Sequence, residues 1–211
     1  LNISIYLDLS DRIINGKGES QMLRDTAIIS YVIDYYINDV ARRKIVPCND
    51  KFRIFFYPTD GINNPSQLSK DLTLHLKDYA NAPGEKKKKL VTMKNDMLSR
   101  IVPIYNQTIA NKQWLGSDIW GFFQKRVNTL CIEEGYRNIL IVLTDGYIYH
   151  QASRQQKGTE YSYLLSSNIN QTNMKLMSCN SGLQDLEVLF LEINPTQYAH
   201  YTKIQSIIGT W

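Results

Sequence analysis

The sequence has no apolar run near the ~20 residues that a bilayer-spanning helix requires; its longest runs, such as residues 139–143, stop far short of that. No membrane span is expected. Cysteine is scarce, and Cys48, Cys131 and Cys179 are odd in number and far apart, which gives neither a disulfide framework nor a metal knuckle. Buried or idle thiols are the ordinary reading of such a set. A concentrated basic arm is missing too. The 24 Lys and Arg against 20 Asp and Glu leave a formal charge of +4, with one short run of lysines at 86–89. Such a run at the start of a helix reads as a solvated face, so nucleic acid is not an expected partner. His75, His150 and His200 share no ligand spacing, and no Ser/His/Asp or Cys/His set can be assembled. Gly16-x-Gly18 is too short and too late after its strand to be a phosphate loop.

What the sequence does have is the material of a core. Over 211 residues, 43% are hydrophobic and 11% aromatic, enough for one domain that buries roughly 70% of its unfolded surface. Wholesale disorder is excluded. Residues 1–7, LNISIYL, read as a buried strand. Residues 20–43 carry Leu23, Ala27, Ile28, Tyr31, Val32, Tyr35, Tyr36 and Val40 at helical spacing, which predicts a deeply packed helix. Residues 51–57, KFRIFFY, predict a second strand, closed by Pro58 and a turn at Thr59-Asp60-Gly61. A short helix is expected over 65–79, and an amphipathic one from Gly84 onward, disturbed near Pro103. Residues 117–132 predict a helix with Ser117 as N-cap. Residues 137–144 and 186–193 predict strands, and 197–208 a final helix.

Strands without alternation, each followed by a helix, describe an α/β domain: a three-layer sandwich with a mostly parallel central sheet and helices on both faces. Residues 1–211 read as one such domain, with insertions at about 62–112 and 147–185. Leu1 falls inside what reads as a strand, so the domain reads as truncated at its N-terminus, with its C-terminal boundary left open. No compartment follows from it.

Ligands of such sheets bind at the carboxyl ends of the strands. Asp8, in IYLDLSDR, and Asp145, in IVLTDGY, both fall there. Two carboxylates on one rim repel unless a cation or hydrogen-bond donors lie between them. Ser10 adds a hydroxyl two residues after Asp8, and Ser117 adds another from a separate loop. Oxygens of these kinds are what a hard cation such as Mg²⁺ takes in octahedral coordination. The bland alternative is that both serines cap helices and both aspartates bond to loop amides.

The order strand-Asp-x-Ser, then Leu-Gly-Ser-Asp-Ile at 115–119, then Leu-Thr-Asp-Gly at 143–146 resembles the von Willebrand factor A domain and its metal-ion-dependent adhesion site. The resemblance implies that Asp8, Ser10, Ser117 and Asp145 hold Mg²⁺ or Mn²⁺, with Ser117 at a position where the family has Thr. It implies a non-catalytic domain that binds an acidic side chain of a protein partner through the ion. Arg12 departs from the pattern, standing where the family has a second serine. Two placements of Arg12 are open: turned to solvent, with the metal kept and one more water, or lying between Asp8 and Asp145 in place of the ion. The retained metal is favoured, with Asp11 offsetting part of the charge. Tyr147, Tyr149 and His150, just beyond Asp145, are expected to line the ligand rim with Arg12. The rival function is a Mg²⁺-dependent phosphohydrolase with Asp8 as nucleophile, which wants a second acid where this chain has Ser10.

Overall fold

The computed structural model describes residues 1–14, 20–59, 64–111, 117–179 and 182–211. Its centre is a mixed but mostly parallel sheet. Strands β1 (Asn2–Leu7), β2 (Lys51–Phe55), β3 (Thr73–His75), β4 (Asn138–Leu143) and β8 (Leu186–Leu191) lie in the order β3-β2-β1-β4-β8. Only β3 runs antiparallel. Three two-residue strands, β5 (Gln156–Lys157), β6 (Glu160–Tyr161) and β7 (Lys175–Leu176), make a separate small sheet within the stretch expected to be an insertion.

Successive side chains of a strand point to opposite faces, and β1 is buried along its whole length. Ile3, Ile5 and Leu7 enter one cluster, with Ile29, Ile33, Tyr36 and Val40 of α1 (Gln21–Arg42) and Leu90, Met93, Met97 and Ile101 of α3 (Pro83–Asn111). Tyr6 enters another, with Ile119, Trp120, Phe122 and Phe123 of α4 (Ile119–Lys125), Val127 and Cys131 of α5 (Val127–Cys131), and Ile204 and Ile207 of α6 (Tyr201–Thr210). Two-sided burial is why β1 and β4 read as continuous apolar runs.

Several expected elements change on inspection. α1 is present, but Leu23, Tyr31 and Tyr35 face outward; its buried stripe is Gln21, Asp25, Ile29, Ile33, Tyr36 and Val40. The helix expected over 65–79 is α2 (Pro65–Asp71) followed by β3, because Thr73-Leu74-His75 alternates and can add to the free edge of β2 with Leu74 inward. α3 runs unbroken through Pro103. Pro103 is exposed, so water can satisfy the carbonyl whose amide partner the ring removes. The helix expected over 117–132 is two, divided at Arg126. The lysine run is not uniformly solvated: Lys87, Lys88 and Lys89 are exposed, whereas Lys86 is fully buried and donates from Nζ to the carbonyls of Val46 and Cys48, each at 2.9 Å. Cys48 and Cys131 are buried, Cys179 is half-buried, and none forms a disulfide. Burial pushes the Cys131 and Cys179 thiols up to about 12, as expected of idle thiols. The turn at Asp60-Gly61, the Gly16-x-Gly18 segment and Leu115-Gly116 lie outside the described residues.

Candidate functional site at the ends of β1 and β4

From β1 the sheet continues to β2 on one side and to β4 on the other, so the order of strands reverses between β1 and β4. The carboxyl ends of two such strands diverge into loops on opposite sides and leave a crevice, the usual ligand position in open parallel sheets. Leu7 is in register with Leu143, and the Asp8 amide donates to the Leu143 carbonyl at 3.1 Å. This pairing brings Asp8 and the Thr144-Asp145-Gly146 turn side by side.

Asp8 is fully buried, and both its carboxylate oxygens have donors. The Ser10 amide donates to Oδ1 at 2.9 Å and the Thr144 hydroxyl to Oδ2 at 2.7 Å. The turn after β4 has to contain glycine: Gly146 has φ +93°, and a Cβ there would meet Ile204 Cγ2 at 2.5 Å. Asp145 is half-buried, and its Oδ1 accepts the Tyr147 amide at 3.1 Å. Burial, and then the charge of Asp8, push the Asp145 carboxyl up to about 7. The two aspartates are therefore electrostatically coupled, as their positions at neighbouring strand ends led one to expect.

Ser117 comes from the loop before α4 and is buried. Tyr6 lies two residues before Asp8, near the end of β1. Its hydroxyl donates to the Tyr57 carbonyl at 2.7 Å and lies 2.7 Å from Ser117 Oγ. Since Tyr6 has one proton and spends it on Tyr57, Ser117 donates to Tyr6, and no donor to Ser117 Oγ is seen among the described residues. Ser117 is not a helix cap. Asp118 caps α4, its Oδ1 accepting the Gly121 amide at 2.9 Å and the Ser153 hydroxyl at 2.6 Å. Ser10 likewise makes no side-chain cap bond to the short 3₁₀ turn that follows it.

Arg12 takes neither of the placements its position suggested. It is buried, and its bonds run into the fold: Nη2 donates to Asp25 Oδ2 at 2.6 Å and Nε to the Asp8 carbonyl at 2.8 Å. It is thus neither a solvated rim residue nor a bridge between Asp8 and Asp145. Asp25 was invisible as a site residue, although a carboxylate four residues before Ile29 in the buried stripe of α1 is a signal that could have found it.

The residues beyond Asp145 divide. The ring of Tyr147 turns to the start of α6, its hydroxyl 2.8 Å from Nδ1 of buried His200. Tyr149 forms a β-bridge with Ser117 and sets its half-buried ring edge-on to Tyr163. His150 is also half-buried, with Nδ1 3.8 Å from Asp118 Oδ2. Tyr149 and His150 thus stand beside Ser117, whereas Tyr147 reaches the rim by its backbone.

Among the described residues no three His, Cys, Asp or Glu side chains gather as a metal-binding group. What the strand ends do bring together is the pair of carboxylates, Asp8 and Asp145. Comparison with known proteins gives no match: no family model, no curated protein and no solved structure matches the chain.

Proposed function

We propose that the domain binds a protein partner through a divalent cation, Mg²⁺ or Mn²⁺, held by Asp8, Ser10, Ser117 and Asp145, and that it is not an enzyme. In this reading the sheet is the centre of a three-layer arrangement similar to the von Willebrand factor A domain. The observation that carries it is the Asp8–Asp145 pair. Two carboxylates at a strand-order reversal, one pushed up to about 7 by burial and by the other's charge, form a site whose electrostatic strain a cation relieves.

The donor set fits such an ion. Each Asp8 oxygen has one donor and a lone pair to spare, and Ser117 is turned by Tyr6 so that its oxygen is available. Arg12 does not replace the ion in this reading, because its guanidinium is engaged by Asp25. When bound, a hard cation with an exchangeable position attracts a carboxylate strongly and directionally. Tyr149 and His150, beside Ser117, are the side chains such a partner meets first.

Thermal unfolding tests the reading. A ligand that binds only the native state stabilises it by RT ln(1 + [L]/Kd). Millimolar Mg²⁺ or Mn²⁺ is expected to raise the Tm, and Asp145→Ala to abolish the rise. A Tm indifferent to both ions in the starting protein contradicts the proposal. Turnover on a phosphatase-substrate panel, lost in Asp8→Asn, would instead establish the enzyme.

A further inference from the structure

Behind the two aspartates lies a set of buried polar groups that the metal reading does not use. Asp25, on α1, is fully buried and receives four donors: Arg12 Nη2 at 2.6 Å, Arg12 Nη1 at 3.4 Å, Gln21 Nε2 at 2.8 Å and the Tyr105 hydroxyl of α3 at 2.5 Å. Arg12 is held from the other side by the Asp8 carbonyl, and its Nε is 3.9 Å from Asp8 Oδ2. Burial works against the guanidinium's charge, yet Asp25 first and then Asp8 raise its pKa above the already high arginine value. Arg12 is a permanent cation in direct range of an aspartate needed for the ion.

This arrangement has two faces. A guanidinium that close to Asp8 neutralises part of the carboxylate and repels a second cation. Asp25 counters both effects. Its carboxylate takes both Nη groups of Arg12 in a two-point contact, so the pair is close to neutral when seen from the crevice. It also fixes the plane of the guanidinium, so that Nε meets the carbonyl of Asp8 at 2.8 Å while its carboxylate stays 3.9 Å away. Tyr105 and Gln21 hold Asp25 in turn, from a second helix and from the preceding turn of α1. The alternative anion for a released Arg12 is Asp8.

We propose that Asp25 is a positioning residue for the cation site: by engaging Arg12 it keeps that side chain off the Asp8 carboxylate and leaves the carboxylate to the ion. The inference rests on the reading that a cation binds between Asp8 and Asp145. It also accounts for how an arginine can stand at Arg12 without ending metal binding.

A buried ion pair that serves stability alone lowers the unfolding free energy when broken and leaves the ion's affinity in the folded protein alone. Titration of the folded protein with Mn²⁺, followed by the electron paramagnetic resonance signal of the free ion, separates the two roles. Asp25→Asn is expected to raise the Mn²⁺ Kd about tenfold or more, the range typical of residues that orient a metal's ligands. The double variant Asp25→Asn/Arg12→Gln is expected to regain most of that loss, because the freed cation is gone. An unchanged Kd in Asp25→Asn, or a double variant that binds as weakly as the single one, overturns the proposal. If Asp25→Asn does not fold, Tyr105→Phe decides. It keeps both charges and removes one bond to Asp25, and it is expected to weaken Mn²⁺ binding by a smaller factor; an unchanged Kd overturns the proposal. A starting protein that binds no Mn²⁺ overturns the metal reading and this inference together, whereas one whose Kd ignores Asp25 and Tyr105 overturns this inference alone.

Discussion

At the scale of single residues, the chemistry rests on Asp145, whose carboxyl is pushed up to about 7 by burial and by Asp8. The folded state therefore holds a proton that the unfolded chain gives up at its ordinary, lower pKa. Stability from this group is fully present below the unfolded value and is lost as pH rises through 7, with a slope of up to about 1.4 kcal/mol per pH unit. In a chelator, the metal-free protein is expected to lose this contribution between about pH 4 and 7, and Asp145→Asn to flatten that part of the profile. Denaturant unfolding across that range checks it. Identical slopes in both proteins would contradict the coupling. Asp8 and Asp145 were legible in the sequence because each closes an apolar run, and parallel strands bring their carboxyl ends to one rim. Arg12 was legible as a departure but not in its direction, since its partner Asp25 is 13 residues away in sequence. The spacing on α1 marks Asp25 as a buried acid, but not that the helix brings it to Arg12.

At the scale of elements, periodicity located α1, α3, β1, β2 and β4, where buried faces are long. It failed where elements are short. β3 is three residues long, and its place comes from the edge of β2 rather than from any pattern of its own. Asp118 rather than Ser117 caps α4 because its carboxylate receives both the Gly121 amide and the Ser153 hydroxyl, and Ser153 comes from the Tyr-rich stretch whose fold has little local signal. The first turn of α3 makes a prediction of its own. Lys86 is the donor for two backbone carbonyls of the loop between α1 and β2. Lys86→Met keeps the stem and removes the donor, and it is expected to cost about 2–4 kcal/mol in denaturant unfolding. Alanine at Lys87, Lys88 or Lys89, all exposed, is expected to stay within about 0.5 kcal/mol of the starting protein. Equal effects at all four positions would show that Lys86 is not the tie it looks to be.

At the scale of the molecule, the sheet order β3-β2-β1-β4-β8 sets a reversal between β1 and β4, and everything proposed for function gathers there. One cluster of apolar residues brings α1 and α3, and with them Asp25 and Tyr105, to the side of Ile5 and Leu7. The other brings α4 and α6, and with them Ser117 and the His200 that holds Tyr147, to the side of Tyr6. In the proposed reading, the two cores deliver different halves of one site. The most direct test is diffraction from crystals grown in millimolar Mn²⁺, with data collected for its anomalous signal. The account predicts a peak between Asp8 and Asp145, within coordination distance of oxygens from Ser10 and Ser117 or of waters they hold. A well-ordered crevice with no such peak, or with Arg12 turned into it against both carboxylates, would contradict it.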